Sequence, residues 1–410
     1  MAERARTRGD RGLTDVVVLG VGLSRFSHDR LDGSIRDWVV EAVTAALEDG
    51  GLERDRLDLS VMAYESDHLA GQLGQGIIWH DSVGLAPRPT VRVEGGGATG
   101  GLAIRSALAQ LRAGFGGCAL VVGAERVGKS VSSATATELF AMSSDTDWEL
   151  PVGGHFTAYY AMIMREHMRR YGTTEEQMAQ VSVKNHGNAR FHPLAQKPMA
   201  LTVEEVMASP VIASPYKLLD CSLLSDGAAA LVLATREWAR RNAHSFADRP
   251  VIRLVGSGVA TDRPRPGDRP WGAFAGFAAK RRAAEMAYAM AGVEEPRKEL
   301  DVAEIYDSYT GAELMAYEAL GLCEPGESGE MSDLGVFELG GELPINPSGG
   351  LLGFGAAAGA TGIAQAAEIV TQLRGEADPR RQVEGAQLGL TDSHAGTATI
   401  CAVHIFEREG

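Results

Sequence analysis

A short segment occurs twice in this chain, once in each half. The sequence Gly-Ala-Thr-Gly stands at residues 97–100 and again 262 residues later at 359–362, and each copy is followed at the same distance by Gln-Leu-Arg. After each copy, apolar residues recur with the period of a helix. Repetition on this scale predicts two halves that fold alike, each with a glycine turn that leads into a buried helix.

The composition is that of a globular protein and excludes several classes of partner. The chain has 410 residues, of which 45% are hydrophobic and 23% charged, and its formal net charge is −15 at pH 7. Such an acidic chain lacks the basic face that nucleic acid requires. Nowhere do about 18 apolar residues follow one another, as a membrane-spanning helix would need. We therefore expect neither nucleic acid nor a membrane as a partner.

The first residues and the cysteines indicate the compartment. The first 12 residues are basic without an apolar core, which argues against a signal peptide or anchor, and residues 1–14 are predicted to form a flexible tail. The cysteines, Cys118, Cys221, Cys323 and Cys401, lie singly in apolar stretches without the paired spacing of a metal site. We interpret them as reduced and buried, expect no metal in this chain, and predict a cytoplasmic protein.

Strand and helix patterns alternate in the first half of the chain. Apolar runs at residues 16–20, 59–63 and 119–122 predict strands, and residues 35–47 have the spacing of an amphipathic helix. This alternation predicts an α/β fold with a largely parallel sheet covered by helices.

The pattern changes after residue 130 and restarts at residue 251. Between them, helices are predicted at 157–171 and 174–189, and so long an excursion usually builds a binding surface on a rigid scaffold. A strand is predicted at 251–255, and the basic, proline-rich segment 262–270 is expected on the surface. The predicted organisation is a tail (1–14), an N-terminal half (15–250) that includes a lid region (about 128–215), and a C-terminal half (251–410).

Five landmarks in order resemble the thiolase superfamily, and most closely its sterol-carrier-type thiolases. They are the glycine turn at residues 93–100, Asp-Cys-Ser-Leu-Leu-Ser-Asp-Gly at 220–227, Asp-Val-Ala-Glu-Ile-Tyr-Asp-Ser-Tyr at 301–309, Asn-Pro-Ser-Gly-Gly at 346–350, and the second glycine turn at 359–362. The resemblance runs from about residue 16 to residue 406. It implies a thiolase fold, in which two similar βαβαβαββ-type halves form a five-layered αβαβα core with an inserted loop domain over the coenzyme.

The nucleophile of the family is missing from this chain. A thiolase would carry its cysteine just before Ala-Thr-Gly, at the amino end of a helix whose amides and dipole favour the thiolate, but this residue is Gly97. Glycine has no side chain to acylate, so transfer through an acyl-enzyme is excluded at this position. We expect the missing side chain to leave room for a bulky acyl group. The alternative is a degenerate site that has lost catalysis.

Tyr306 is the first catalytic candidate. The resemblance places Tyr306 at the histidine of a His-Asp-Cys-Phe motif of sterol-carrier-type thiolases. A phenol therefore replaces a histidine that helps to hold an oxyanion in the family. A phenol can donate a hydrogen bond or, if its pKa falls, accept a proton. Ser308 and Tyr309, in the same segment, are further catalytic candidates. The alternative for Tyr306 is a buried tyrosine whose hydroxyl is satisfied by the protein.

A second proton-handling group of the family is also absent. The family's Gly-His-Pro is Gly-Ala-Ala here, so that Ala356 stands where the histidine would be. His394 is expected on a loop that faces the pocket, where it could titrate near neutrality. We count it among the catalytic candidates, with a structural hydrogen-bonding role as the alternative.

Substrate and coenzyme A binding is assigned to backbone and amide groups. The resemblance implies that amides of the glycines around Gly96, Gly97 and Gly396 face the substrate. Asn346 matches a family landmark and is placed in the same set, although it could instead fix its loop through side-chain to backbone hydrogen bonds. Coenzyme A enters as part of the substrate, and no covalently bound cofactor is expected.

Functions from two classes fit these substitutions. Some thiolase-like proteins that resemble this pattern cleave a β-hydroxyacyl-CoA by retro-aldol chemistry, as in removal of a steroid side chain. They need no thiol, because oriented donors hold the leaving enolate. Such aldolases would place a second tyrosine where this chain has Ala356. The alternatives are a non-catalytic thiolase-fold subunit and an acyl-transfer or condensation partner in a hetero-oligomeric biosynthetic complex.

The resemblance also implies partners. Thiolase-like proteins pair the edge strands of two protomers, and the apolar run at residues 119–123 is expected to form that edge in a homodimer. The aldolase resemblance adds a small zinc-ribbon and OB-fold partner, which would hold any metal. Steroid, branched and aromatic acyl groups all remain compatible with the sequence.

Overall fold

The computed structural model of the chain describes residues 15–128, 131–243, 249–270 and 273–409, so the tail predicted at residues 1–14 lies outside the described residues. The described strands are β1 (Val16–Leu23), β2 (Leu59–Ala63), β3 (Thr90–Val93), β4 (Cys118–Glu125), β5 (Val211–Ala213), β6 (Tyr216–Lys217), β7 (Gly227–Thr235), β8 (Ile252–Thr261), β9 (Val302–Glu304), β10 (Leu388–Ala395) and β11 (Ile400–Arg408). The described helices are α1 (Ile35–Gly50), α2 (Asp67–Ala70), α3 (Gln75–Ser82), α4 (Thr99–Arg112), α5 (Ser133–Ala141), α6 (Phe156–Tyr171), α7 (Glu175–Ala189), α8 (Val203–Met207), α9 (Arg236–Asn242), α10 (Ala278–Ala291), α11 (Pro296–Glu299), α12 (Thr310–Ala319), α13 (Ser328–Asp333), α14 (Gly350–Gly353) and α15 (Ala358–Arg374).

Nine strands form one mixed sheet in the order β3-β2-β4-β7-β1-β8-β11-β10-β9. The first five come from the first half of the chain and the last four from the second, and the two groups join where Val17 and Val18 of β1 pair with Arg253 and Ile252 of β8. The pairs β2–β3, β2–β4 and β9–β10 are parallel, and the other pairs of this sheet are antiparallel. The prediction of a largely parallel sheet is wrong, because β7 and β11 are each antiparallel to both of their neighbours and β1 is antiparallel to β8.

The two groups of strands form two layers of the molecule, with helices between them and on their outer faces. The apolar positions of α1, including Trp38, Val39 and Val43, recur at helical spacing and pack on the outer face of the first five strands. Helices α4 and α15 lie between the two groups of strands, and α10 covers the outer face of the second group. The resulting order of layers is α, β, α, β, α.

The two copies of the repeated glycine turn meet at the centre of the molecule. Helices α4 and α15 begin at or beside them, as the repeat predicts. A Cβ at Gly100 would lie 2.8 Å from the backbone nitrogen of Gly362, and a Cβ at Gly362 would lie 2.6 Å from the backbone nitrogen of Gly101. No side chain fits at these distances, so glycine allows the two helices to touch backbone to backbone.

Strand β4 lies inside the sheet and not at its edge. It pairs with β2 on one side and β7 on the other, and β3 is the edge strand of this half. The expectation that residues 119–123 form a dimer edge is therefore wrong; their apolar character reflects burial on both faces of the sheet. Strand β3 has only four residues, and its Val91 and Arg92 are exposed.

The lid region is mostly helical where it is described. Helices α6 and α7 start within one residue of the predicted positions. Helix α7 begins at Glu175 because Thr174 closes a capping box with Gln177: the Gln177 amide donates to Thr174 Oγ1 (3.2 Å), and Gln177 Oε1 accepts from the Thr174 amide (3.0 Å). The buried face of α6, which includes Tyr160 and Met164, packs on the second half of the chain.

Two expectations about exposure need correction. Cys118 and Cys401 are buried, but Cys221 and Cys323 are partly exposed, and all four thiols are free. The segment at residues 262–270 is expected on the surface, but its Arg269 is buried. The Arg269 guanidinium is held there by hydrogen bonds to the carbonyl oxygen (2.8 Å) and the hydroxyl (2.7 Å) of Thr397.

None of the helices in the described ranges combines the length and apolar character needed to cross a bilayer. Within the same ranges, no three His, Cys, Asp or Glu side chains converge as ligands of a metal ion would.

Candidate active site

A cavity of about 470 Å³ lies where the lid region meets the core. Its wall is formed by the glycine turn before α4, the lid region, the loop after β9 and the end of β10. It contains six of the eight residues selected from the sequence. The lining residues are Glu65, Gly97, Thr137, Phe140, Ser143, His155, Phe156, Thr157, Tyr160, Ile212, Leu218, Cys221, Ser222, Leu223, Leu224, Tyr306, Ser308, Tyr309, Leu351, Ala356, Ala358, His394, Ala395 and Gly396.

The hydroxyl of Tyr306 occupies the space beside Gly97. A Cβ at position 97 would overlap this hydroxyl and would lie 2.5 Å from the carbonyl oxygen of His394. Any side chain at position 97 therefore requires Tyr306 to move. The expectation that Gly97 leaves room for a bulky acyl group is wrong, because the phenol fills the volume that a cysteine would use. Glycine at 97 and tyrosine at 306 depend on each other.

We expect Gly97→Ala to displace Tyr306. Overpacking a buried site costs about 1–3 kcal/mol, so the free energy of unfolding should fall by that amount in urea denaturation followed by circular dichroism. Gly187→Ala is the control, since a Cβ at Gly187 in α7 meets no atom within 4 Å, and alanine should stabilise this helix by about 0.5–1 kcal/mol. Equal stability of Gly97→Ala and the wild type would contradict the tight contact.

The surroundings of Tyr306 favour a hydrogen-bond donor. Its ring is buried, and its hydroxyl has no hydrogen-bond partner among the described residues. Burial raises the pKa of Tyr306, and the charges of Glu65 and Asp307 raise it further. The phenol therefore stays protonated at neutral pH, so it can donate a hydrogen bond into the cavity but is a poor base.

A chain of hydrogen bonds fixes the ring of His394, which lies on β10 and not on a loop as expected. Lys280 Nζ pairs with the Asp392 carboxylate and lies 3.0 Å from His394 Nδ1. An ammonium group can only donate, so Nδ1 accepts and the ring hydrogen sits on Nε2. Nε2 then donates to the Tyr160 hydroxyl (2.8 Å), which donates to the carbonyl oxygen of Gly396 (2.9 Å).

This chain keeps His394 neutral. Burial lowers the pKa of His394 well below its ordinary value, and the charge of Lys280 lowers it further. The expectation that His394 titrates near neutrality is therefore wrong. The hydrogen bond from Nε2 orients Tyr160, and the His394 ring packs against the ring of Tyr306, with 4.7 Å between the ring centroids. Because both ring nitrogens are engaged, His394 offers no lone pair to a substrate.

Tyr309 and Ser308 shape the wall of the cavity. The Tyr309 hydroxyl is hydrogen-bonded to Thr157 Oγ1 (2.9 Å), and its ring packs against Tyr160 with 4.8 Å between centroids. Burial raises the pKa of Tyr309. Ser308 Oγ lies 3.4 Å from His394 Nε2. Both hydroxyls thus face protein partners as well as the cavity.

Asn346 and Gly96 are not part of the cavity wall. Asn346 is fully buried; its Oδ1 accepts from the Ile305 amide (2.7 Å), and its Nδ2 donates to Glu313 (2.8 Å). This amide fixes the segment that leads to Tyr306, which was the alternative role considered for it. The Gly96 amide donates to Glu94 Oε1 (2.8 Å) and is thereby occupied.

Two glutamates that the sequence reasoning missed lie beside the glycine turn. Glu65, two residues after β2, lines the cavity, and its Oε1 is 3.6 Å from the position of a Cβ at Gly96. The Glu65 amide donates to Oε2 of Glu125 (2.7 Å), a fully buried residue that ends β4. The sequence signal was weak, because a single acidic residue after a strand is usually solvated.

One thiol also reaches the cavity, that of Cys221, which the sequence predicts to be buried. Cys221 lines the wall, and its Sγ donates to the Lys217 carbonyl oxygen (3.3 Å). Burial, together with the charge of Asp220, raises the pKa of Cys221 to about 12. The thiol is therefore protonated at neutral pH and is a weak nucleophile.

Comparisons with known proteins agree with one another. Residues 271–408 match a family model described as thiolase C-terminal domain-like. The chain is 40% identical to an acetyl-CoA acetyltransferase of Methanothermobacter thermautotrophicus over 97% of this chain and 100% of that protein. It is 32% identical to sterol carrier protein 2 of Homo sapiens over 92% of this chain and 69% of that protein.

One further relative and one solved structure are also similar to this chain. The benzoylsuccinyl-CoA thiolase subunit BbsB of Thauera aromatica is 30% identical over 90% of this chain and 91% of that subunit. The solved structure of the Ltp2-ChsH2(DUF35) aldolase superposes with a TM-score of 0.82 over 96% of this chain and 98% of that chain, at 26% identity. Together with the five layers described above, these similarities confirm the predicted fold class.

Proposed function

Because the chain belongs to the thiolase superfamily, yet has glycine where the resemblance places the nucleophilic cysteine, we propose that it is a carbon-carbon lyase acting on a coenzyme A thioester. In this proposal it cleaves a β-hydroxyacyl-CoA by retro-aldol chemistry. The products are an aldehyde or ketone and a shorter acyl-CoA. No acyl-enzyme forms on this route.

The observation that carries the proposal is the Tyr306 hydroxyl beside Gly97. A side chain at position 97 and a tyrosine at position 306 compete for one volume, so this site replaces the thiol with a hydrogen-bond donor. Cys221, the thiol that reaches the cavity, has a pKa of about 12 and does not supply a thiolate at neutral pH. A donor without a nucleophile suits cleavage through an enolate better than acyl transfer.

Tyr306 is assigned to the oxygen that gains charge. When the carbon-carbon bond breaks, its electron pair passes into the thioester, and the carbonyl oxygen becomes that of an enolate. A preorganised donor aimed at this oxygen lowers the barrier because it need not reorganise during the reaction. Backbone groups of Gly97 and Gly396 line the same cavity and are proposed to bind the substrate. His394 and Tyr309 are proposed to hold Tyr160 and Tyr306 in position around the substrate.

The proposed acyl group is bulky and apolar. The wall contains Phe140, Ile212, Leu218 and Leu351, which favour an apolar chain over a small polar one. Ala356 also lines this wall, so that the position expected to hold a second tyrosine in such aldolases holds a methyl group here. A steroid side chain and a branched or aromatic acyl group both fit this description.

Partners are proposed from the sheet edge and from the relatives. With β4 inside the sheet, β3 is the strand that we propose to pair across a homodimer. The Ltp2-ChsH2(DUF35) aldolase and the BbsB relative, named as a subunit, support a second partner protein. We propose that it is of the zinc-ribbon and OB-fold type.

One alternative is favoured by a specific observation. Relatives that are 40% and 34% identical over nearly the whole chain are named acetyl-CoA acetyltransferases, which supports acyl transfer or condensation, with this chain as the active or the supporting subunit of a complex. A non-catalytic subunit is the second alternative, because the glycine at position 97 removes the thiol that acyl transfer uses in the family.

The test is a panel of β-hydroxyacyl-CoAs and β-ketoacyl-CoAs incubated with the purified protein, alone and with a copurifying partner. Products are identified by mass spectrometry. We expect a shortened acyl-CoA and an aldehyde or ketone from a bulky β-hydroxyacyl-CoA. Cleavage of β-ketoacyl-CoAs that requires free coenzyme A would support acyl transfer, and binding without turnover of any substrate would support the non-catalytic subunit.

A further inference from the structure

We propose that Glu65 is the general base and acid of this site, which takes the proton of the substrate's β-hydroxyl and returns it to the α-carbon. This inference deepens the proposed lyase function and rests on it. Tyr306 and His394 leave the role of base open, since the first is a protonated phenol and the second is a neutral ring with both nitrogens engaged.

Position is the first argument for Glu65. Its carboxylate lies over Gly96 and the Tyr306 hydroxyl lies over Gly97, so that a base and a donor stand over neighbouring residues of one glycine turn. Both side chains line the same cavity. Among the charges that raise the pKa of Tyr306, that of Glu65 comes first, which places the two groups within electrostatic reach.

An unused hydrogen-bonding atom is the second argument. Glu65 Oε2 is buried and has no hydrogen-bond partner among the described residues. A buried carboxylate oxygen without a partner is unfavourable unless a ligand satisfies it. The backbone of Glu65 is held by Glu125, which accepts from its amide, and by Arg92, whose guanidinium donates to its carbonyl oxygen (3.2 Å).

The charges around Glu65 suit a group that both takes and returns a proton. Burial raises the pKa of Glu65 to about 7; the charge of Glu94 adds to this rise, and the Ser143 hydroxyl opposes it. Burial and the charge of Glu65 raise the pKa of Glu125, behind it, well above the ordinary value, and hydrogen bonds from the Glu65 and Gly359 amides and the charge of Arg92 oppose that rise. An acid-base catalyst works best when its pKa lies near the working pH.

The step balances without an added oxidant or reductant. Glu65 removes the β-hydroxyl proton, and the electrons of that O–H bond form the carbonyl of the aldehyde or ketone. The bond between the α- and β-carbons breaks, and its electron pair forms the enolate of the thioester, which accepts a hydrogen bond from Tyr306. Glu65 then gives its proton to the α-carbon, and the shorter acyl-CoA leaves.

The experiment compares wild type, Glu65→Gln and Glu138→Gln on whichever β-hydroxyacyl-CoA the wild type cleaves. We expect Glu65→Gln to lower kcat by about 100-fold or more, while calorimetry shows coenzyme A thioester affinity within threefold of wild type. Glu138, exposed on α5 outside the cavity wall, is the matched control and should keep wild-type activity. The wild-type kcat/KM should fall with decreasing pH around pH 7, since the base must be deprotonated.

The outcomes distinguish a failure of the proposed function from a failure of the role assigned to Glu65. If the wild type cleaves no β-hydroxyacyl-CoA, the proposed function fails and the role of Glu65 fails with it. If the wild type cleaves one and folded Glu65→Gln keeps its rate, the assignment of Glu65 alone is overturned. Should Glu65→Gln not fold, the wild-type profile decides, because a kcat/KM that stays flat between pH 8 and pH 6 also overturns the assignment.

Discussion

Tyr306→Phe is expected to lower kcat/KM for cleavage of a β-hydroxyacyl-CoA by about 100- to 1,000-fold, the loss typical when one donor to a developing oxyanion is removed. The ring stays in place, because only the hydroxyl beside Gly97 is lost and the packing against His394 at 4.7 Å remains. The effect should therefore appear in kcat, with little change in the affinity for a coenzyme A thioester. Steady-state kinetics and isothermal titration calorimetry measure the two quantities separately.

Tyr288→Phe is the control for the loss of a phenol hydroxyl outside the site. The Tyr288 hydroxyl donates to the Leu320 carbonyl oxygen (2.8 Å) away from the cavity, so this variant should lose about 1 kcal/mol of stability but keep its activity. A Tyr306→Phe enzyme with near wild-type kcat would contradict the assigned role. If the variant instead lost affinity with kcat unchanged, Tyr306 would be a binding group.

The repeat and the landmarks were enough to predict the fold class. A glycine turn followed by a helical apolar pattern is local information, and α4 and α15 begin where that pattern begins. The reason for glycine at these positions is not local. It lies in the contact between Gly100 and Gly362, on two helices that begin 259 residues apart at Thr99 and Ala358.

Strand order could not be predicted from the pattern of strands. The apolar run in β4 fits both an edge that pairs with a partner and a strand buried in the sheet. Its neighbour β7 comes after the whole lid region, so the pairing depends on contacts between residues more than a hundred positions apart. Hydrophobic pattern sets which face of a strand is buried but does not select its neighbours.

The site was predictable where the family landmarks reach and not elsewhere. Tyr306, Tyr309 and His394 were selected because they replace or occupy landmark positions, and all three line the cavity. Glu65 follows a short strand, and Lys280 lies in an alanine-rich helix, where charged residues usually face solvent. The partial burial of Glu65 and the full burial of Lys280 beside the site are tertiary effects that no local spacing signals. The space at Gly97 could not be predicted for the same reason, since the atom that fills it belongs to Tyr306.

Lys280→Met is expected to lower the free energy of unfolding by about 3–5 kcal/mol, the usual result of removing one partner from a buried ion pair. Lys280 and Asp392 are both fully buried and contact each other directly, so the variant leaves the Asp392 carboxylate without its counterion. His394 Nδ1 loses its donor at the same time. Urea denaturation followed by circular dichroism measures the loss, and Lys298→Met, on an exposed lysine, is the control.

The double variant Lys280→Met with Asp392→Asn separates charge from packing. If the unpaired carboxylate causes the loss, removing its charge should restore more than half of the lost stability. The His394 ring gives a second readout. In Lys280→Met the ammonium that lowers the pKa of His394 is gone and a carboxylate remains nearby, so the imidazole pKa, followed by NMR, should rise, and it should rise less in the double variant. A Lys280→Met protein as stable as Lys298→Met, with an unchanged imidazole pKa, would show that the Lys280–His394–Tyr160 chain does not hold the site.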